Sequence, residues 1–130
     1  MRRLLLPLVL AAGLLAGCTT APTTVDDRLF FGRSIPGGGE VTEAQWDAFV
    51  AEVITPRFPN GFTVWRGSGH WKGDDGAAVA EPTCVLEVVH PNDPAIDAKL
   101  DEIARAYRTR FNQDAVMRVR SPAGQTFWRR

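Results

Sequence analysis

Apolar and polar residues follow each other along this chain in blocks of different period. The first block has none: residues 4–15 are apolar all round and Pro7 interrupts them, which does not suit the one-sided face of a packed helix. Residues 28–34, with Leu29-Phe30-Phe31, predict a strand, and Pro36 with Gly37-Gly38-Gly39 predicts a loop. The period then lengthens. Trp46, Phe49, Val50, Val53 and Ile54 recur at helical spacing. Thr42 is placed as the N-cap, Gln45 completes a capping box, and Val41 with Trp46 forms a hydrophobic staple. Pro56 ends the helix.

A turn over Arg57-Phe58-Pro59-Asn60-Gly61 leads to a second strand from Phe62 to Trp65. This strand reaches His70-Trp71 if a bulge or a close backbone approach accommodates Gly67 and Gly69. Gly73-Asp74-Asp75-Gly76 predicts a hairpin turn, and the returning strand centres on Cys84 to Val89. Asp93 as N-cap and Pro94 at the first helical position open a second helix. Its buried stripe is Ile96, Leu100, Ile103, Tyr107 and Phe111. A fourth strand spans residues 115–119, and Thr126-Phe127-Trp128 predicts a short extra piece.

The order β-α-β-β-α-β predicts an α+β, ferredoxin-like sandwich, with two helices on one face of a four-stranded antiparallel sheet. The strands holding Leu29-Phe30-Phe31 and Cys84 to Val89 are apolar on both faces, as strands covered on both sides are. Something should therefore cover the second face: a symmetric partner, the C-terminal tail with Phe127 and Trp128, or a ligand.

Composition changes this picture at the N-terminus. Seven of the ten leucines lie within the first 15 residues, behind Met1-Arg2-Arg3. A cationic head and a short apolar run form a secretory signal peptide. The run is shorter than the roughly 20 residues of a membrane-spanning helix. It ends in Leu15-Ala16-Gly17-Cys18, which resembles the bacterial lipobox. That resemblance implies cleavage before Cys18 and a lipid, palmitate included, on the cysteine. Thr19 after the cysteine implies sorting to the outer membrane, facing the periplasm. The expected organisation is a leader over residues 1–17, a lipidated tether over residues 18–27 and one domain over residues 28–130.

The whole chain has 15 basic and 15 acidic residues, and such a balance excludes a generic nucleic-acid binder. Without the leader, 113 residues remain, with 13 basic and 15 acidic side chains. From residue 105 onward there are seven arginines against Asp114 alone. Cys84 is left as a lone thiol.

The segments Leu29-Phe30-Phe31-Gly32, Thr55 to Val64 with its Pro-Arg-Phe-Pro run, Gly69-His70-Trp71 and Glu81-Pro82-Thr83 resemble landmarks of a family of small bacterial lipoproteins. That family is catalogued only as a domain of unknown function. It commonly carries Gln at the position of His70 and Ser at that of Thr83, and it implies no catalytic residue.

Candidate chemistry is sparse. Ser68 and His70 share a strand face and, with Asp74 or Asp75, allow a triad to be drawn, but no nucleophile elbow is present. His70, His90, Glu81 and Cys84 lack metal-ligand spacing, so no metal and no cofactor is implied. Gly37-Gly38-Gly39 lacks the Gly-Lys-Ser/Thr of a phosphate loop. The candidate ligand pocket gathers Arg33, Arg57, Trp65, His70, Trp71 and His90. Arg33 either reaches an anionic ligand or ends a strand in solvent. Arg57 is expected to fork onto a carboxylate or onto helix-end carbonyls. The favoured reading is a lipid-anchored, non-catalytic binding or accessory module. The alternative is a small dimeric enzyme with its pocket on the open sheet face.

Overall fold

The computed structural model describes residues 22–130. The expected leader and Cys18 lie outside the described residues. Strand β1 (Thr24–Gly32), helix α1 (Glu43–Phe49), β2 (Thr63–Lys72), β3 (Ala78–Pro91), α2 (Pro94–Phe111) and β4 (Met117–Pro122) follow in that order. The sheet order is β2-β3-β1-β4, and all three pairings are antiparallel. This is the expected ferredoxin-like arrangement, with β1 and β3 central.

β1 begins four residues earlier than expected, so Thr24 to Asp27 belong to the sheet rather than to a tether. The physical reason is alternation. Val25, Asp27, Leu29 and Phe31 all face the helices and are buried. β4 lies two to three residues later than expected, and no strand forms over residues 126–128.

Both predicted helix starts are present. The Thr42 hydroxyl accepts from the Gln45 N–H at 3.2 Å, and the Gln45 side chain accepts from the Thr42 N–H at 2.9 Å. Val41 and Trp46 are both fully buried, as a staple requires. Asp93 accepts from the Ala95 N–H at 2.8 Å at the start of α2. α2 ends at Asn112, which takes the left-handed conformation at φ 49°.

The first helix does not run as one α-helix to Ile54. Residues Val50–Ile54 form a π-helical turn, closed by the Thr55 N–H on the Val50 carbonyl at 2.9 Å. The wider turn shifts the apolar stripe by one position. Ile54 becomes fully buried while Val53 is only half-buried.

Between helices and sheet lies an aromatic cluster of Phe31, Trp46, Phe49, Tyr107 and Phe111. Its ring centroids are 4.8–6.2 Å apart, most of them edge-on or tilted. Such geometry is favourable beyond area burial alone. Leu29, Leu86, Leu100 and Ile103 are among the aliphatic residues packed into the same core.

The other sheet face has no covering layer among the described residues. Trp65 and Met117 are each 55% exposed on it, and Phe127 and Trp128 in the tail are 71% and 94% exposed. The tail therefore does not close the face with these two rings, contrary to one of the expectations. The β2–β3 register is constant from Thr63↔Glu87 to Lys72↔Ala78, so Gly67 and Gly69 do not form a bulge.

Candidate functional site

The six residues expected to line one pocket do not come together. Arg33 is buried. Its Nε donates to the Val41 carbonyl at 2.7 Å, and its other nitrogens meet Glu40 and Glu43. It thus pins the glycine loop over the end of β1, out of solvent, with its nitrogens held by protein acceptors. Arg57 donates to the Val53 carbonyl at 2.7 Å and to Glu102 at 3.1 Å, so both expected kinds of acceptor are used at once.

His70 lies on the helix side of β2, the face opposite Trp65 and Trp71. Its Nε2 is 3.2 Å from the Ser68 hydroxyl. Asp75 instead accepts from the Ala77 N–H at the hairpin turn, and among the described residues neither Asp74 nor Asp75 pairs with His70, so the third member of a triad is not in place. Cys84 is buried and free, and burial pushes its thiol pKa up, which keeps it a poor nucleophile. Among the described residues, no three His, Cys, Asp or Glu side chains cluster as metal ligands would.

His90 is in a different place again, at the far end of the sheet on the helix side, 4% exposed. Its Nε2 donates to Asp27 Oδ2 at 2.7 Å, and its Nδ1 lies 2.7 Å from the Pro91 carbonyl. Asp27 is fully buried. Arg118 grips it with two nitrogens at 2.8 Å, and Arg120 adds a contact at 2.8 Å. Both arginines also reach Asp97 in the first turn of α2. Burial alone would raise the Asp27 pKa. The hydrogen bonds from Arg118, Arg120 and His90 overcome this and hold it well below the ordinary carboxylate range. This hub ties β1, β3, β4 and α2 together, and every oxygen of Asp27 is already engaged. It is a structural clamp.

The open sheet face holds the remaining candidates. Alternation places Asp26, Arg28, Phe30 and Gly32 of β1 on it. Trp65, Gly67, Gly69 and Trp71 of β2 lie on the same face, across from Val85, Thr83, Glu81 and Val79. Gly67 has open space above it. Glu81 lies over Gly32 and accepts from the Ser34 N–H at 3.1 Å. A Cβ at Gly69 would come within 2.6 Å of the Thr83 hydroxyl. Gly67 thus leaves an open gap beside Trp65, while the Thr83 side chain lies over Gly69 and Glu81 over Gly32.

Toward the other end, Arg28 donates to Glu87 at 2.9 Å and also pairs with Asp26. The Trp65 indole N–H donates to the other Glu87 oxygen at 3.0 Å, which fixes its ring. Asp26 Oδ1 is the one buried side-chain polar atom without a partner among the described residues. Three carboxylates, Asp26, Glu81 and Glu87, therefore share this face with one guanidinium. Asp26 carried no local signal, and Glu81 stood out only as a possible metal ligand and as part of a family landmark. Only the strand phase of β1 and β3, once known, brings them together.

These landmarks match a known sequence family over residues 26–127. The chain belongs to DUF3574, a family described as protein of unknown function. No curated protein matches it. Among solved structures, a phage SAM lyase in complex with S-methyl-5'-thioadenosine is similar, with a TM-score of 0.55 and 16% identity, over 78% of this chain and 83% of that one. The phage SAM lyase in its apo state gives a TM-score of 0.57 and 15% identity, over 75% and 78%. At these identities the likeness is one of fold alone.

Proposed function

We propose that this DUF3574 protein is a lipid-anchored envelope lipoprotein whose domain is a non-catalytic binding module, working through its open sheet face. The anchor reading is supported by Met1-Arg2-Arg3, the apolar run and Leu15-Ala16-Gly17-Cys18. On that reading Cys18 carries the lipid and the protein sits in the outer membrane, facing the periplasm. Only five residues separate Cys18 from the start of β1 at Thr24. The six steps from Cys18 to Thr24 span at most about 22 Å, so the domain stays close to the membrane. Cys18→Ser should abolish labelling with palmitate and move the protein out of the membrane fraction; unchanged partitioning would refute the anchor.

The observation that carries the binding reading is the open space over Gly67 beside the exposed Trp65, with an excess of carboxylate on the same face. An exposed indole beside open space suits a planar ring, and the acidic excess suits a positive charge. The ligand class is therefore a small, flat, cationic molecule. SAM and S-methyl-5'-thioadenosine are useful probes because they differ in charge. Tryptophan fluorescence should change saturably with SAM, less with the neutral thioadenosine, and not at all in Trp65→Ala. An equal response to both probes, or none, would sink the reading.

The second reading is a small enzyme, favoured by the fold shared with a phage SAM lyase. Release of S-methyl-5'-thioadenosine from SAM by the purified chain would carry it.

A further inference from the structure

β2 is an edge strand of ten residues, and its outer side meets no other strand of the sheet. An edge of that length is a template for pairing, and native edges are usually blunted by shortness, proline, a bulge or an outward charge. The opposite edge, β4, has six residues and ends at Pro122. β2 has no proline and no bulge. Its arginine, Arg66, is turned onto α1, where Glu43 and Asp47 accept its hydrogen bonds at 2.8 and 3.1 Å.

The middle of this edge has an internal symmetry. Trp65-Arg66-Gly67-Ser68-Gly69-His70-Trp71 reads aromatic, basic, glycine, serine, glycine, basic, aromatic from either end. We propose that β2 pairs antiparallel with β2 of a second copy of this chain, about a two-fold axis at Ser68, joining the two sheets edge to edge. A two-fold axis requires a self-complementary surface, and a palindromic strand supplies one. With Ser68 opposite its own copy, Trp65 lies opposite Trp71 of the partner subunit, and Gly67 lies opposite Gly69 of the partner subunit. Trp65 and Trp71 are 55% and 54% exposed on one face, so two cross-strand tryptophan pairs form there. Aromatic pairs of this kind stabilise antiparallel ladders.

The symmetry also selects the register. Sliding the strands by two residues sets Trp65 against a glycine and loses the ring pairs. Sliding by one turns the tryptophans to opposite faces. Across seven residues the pairing closes roughly six to eight backbone hydrogen bonds, two for every second residue pair. This contact draws on Trp65 and Trp71, which the ligand reading also uses, but its backbone pairing lies at the sheet edge and needs no ligand.

Cysteine cross-linking of the full chain tests it. Across an antiparallel pair, residues directly opposite have Cα atoms about 4.5–5.5 Å apart, within disulfide range. Ser68→Cys should give a covalent dimer on mild oxidation, well above the parent chain, in which Cys84 is buried. Lys72→Cys should not, since its two copies would lie about 26 Å apart at roughly 3.3 Å per residue. Equal cross-linking at both positions, or a Ser68→Cys yield no higher than the parent's, overturns the proposal. So does cross-linking through Met117→Cys with Ser68→Cys left unlinked, which would place the contact on the sheet face. The readout involves no ligand, so its failure and that of the binding reading are separable.

Discussion

His90 on β3 donates through Nε2 to Asp27 on β1 at 2.7 Å, and both side chains are buried beneath α2. Asp27 answers three donors at once, from His90, Arg118 and Arg120. A buried carboxylate so surrounded is costly to leave half-paired. Asp27→Ala should destabilise the domain by about 3–5 kcal/mol, because it strands the cations that grip it. Urea unfolding monitored by tryptophan fluorescence measures this; a loss below about 1 kcal/mol would contradict the clamp.

The same residue sets an acid limb. Its folded-state pKa lies well below that of an ordinary aspartate. A depressed carboxylate contributes its full stability above the unfolded value, and that contribution is lost as the pH falls toward the folded one. Stability should therefore fall on acidification from about pH 5 downward. Asp27→Asn should lower stability at neutral pH and flatten that acid limb. An acid limb of unchanged slope would show that other carboxylates carry it.

Arg33 is a structural cation at the other end of β1. Arg33→Met removes the donor to the Val41 carbonyl and leaves Glu40 and Glu43 unpaired by it. A charged hydrogen bond of this kind is worth about 1.5–3 kcal/mol, and a loss in that range is expected by thermal unfolding. Hydrogen exchange should rise first in residues 34–40, the loop it pins.

Tyr107 donates its hydroxyl to the Gly32 carbonyl at 2.9 Å from within the aromatic cluster. Burial pushes its pKa far above that of a free phenol. Tyr107→Phe keeps the ring and loses the bond, for about 1 kcal/mol. Trp46→Ala, in the same cluster, should cost about 3–5 kcal/mol through the cavity it leaves. A smaller effect at Trp46 than at Tyr107 would overturn this account of the core.

Cys84 should be silent to a thiol reagent in the folded protein and react once urea unfolds it, since it is buried and its thiol pKa is raised. Rapid reaction at neutral pH without denaturant would show that β3 opens readily.

The element order, both N-caps, the staple and the buried stripe of α2 were legible because each is a local pattern within a few residues. The π-turn at Val50–Ile54 was not, since the same apolar spacing fits an α-helix. The clamp was missed for a different reason. Asp26-Asp27 among threonines reads as a polar tether, although Asp27 is in phase with Leu29 and Phe31. Arg118 and Arg120 are two apart, hence on one face of β4, but only the fold shows that this face looks at α2. The proposed pocket failed because Trp65 and His70 differ by an odd number of strand positions and so point to opposite faces.

β1 enters the sheet at its centre, with nine residue pairs to β3 and six to β4. A pull on the chain at Thr23 is therefore directed along a strand flanked on both sides, across hydrogen bonds that lie perpendicular to it. Those bonds are loaded together in shear instead of being peeled one by one. The salt-bridged end of β1 takes the force first. Under tension the domain should behave as a mechanically stiff end-piece, yielding only when both ladders give way at once.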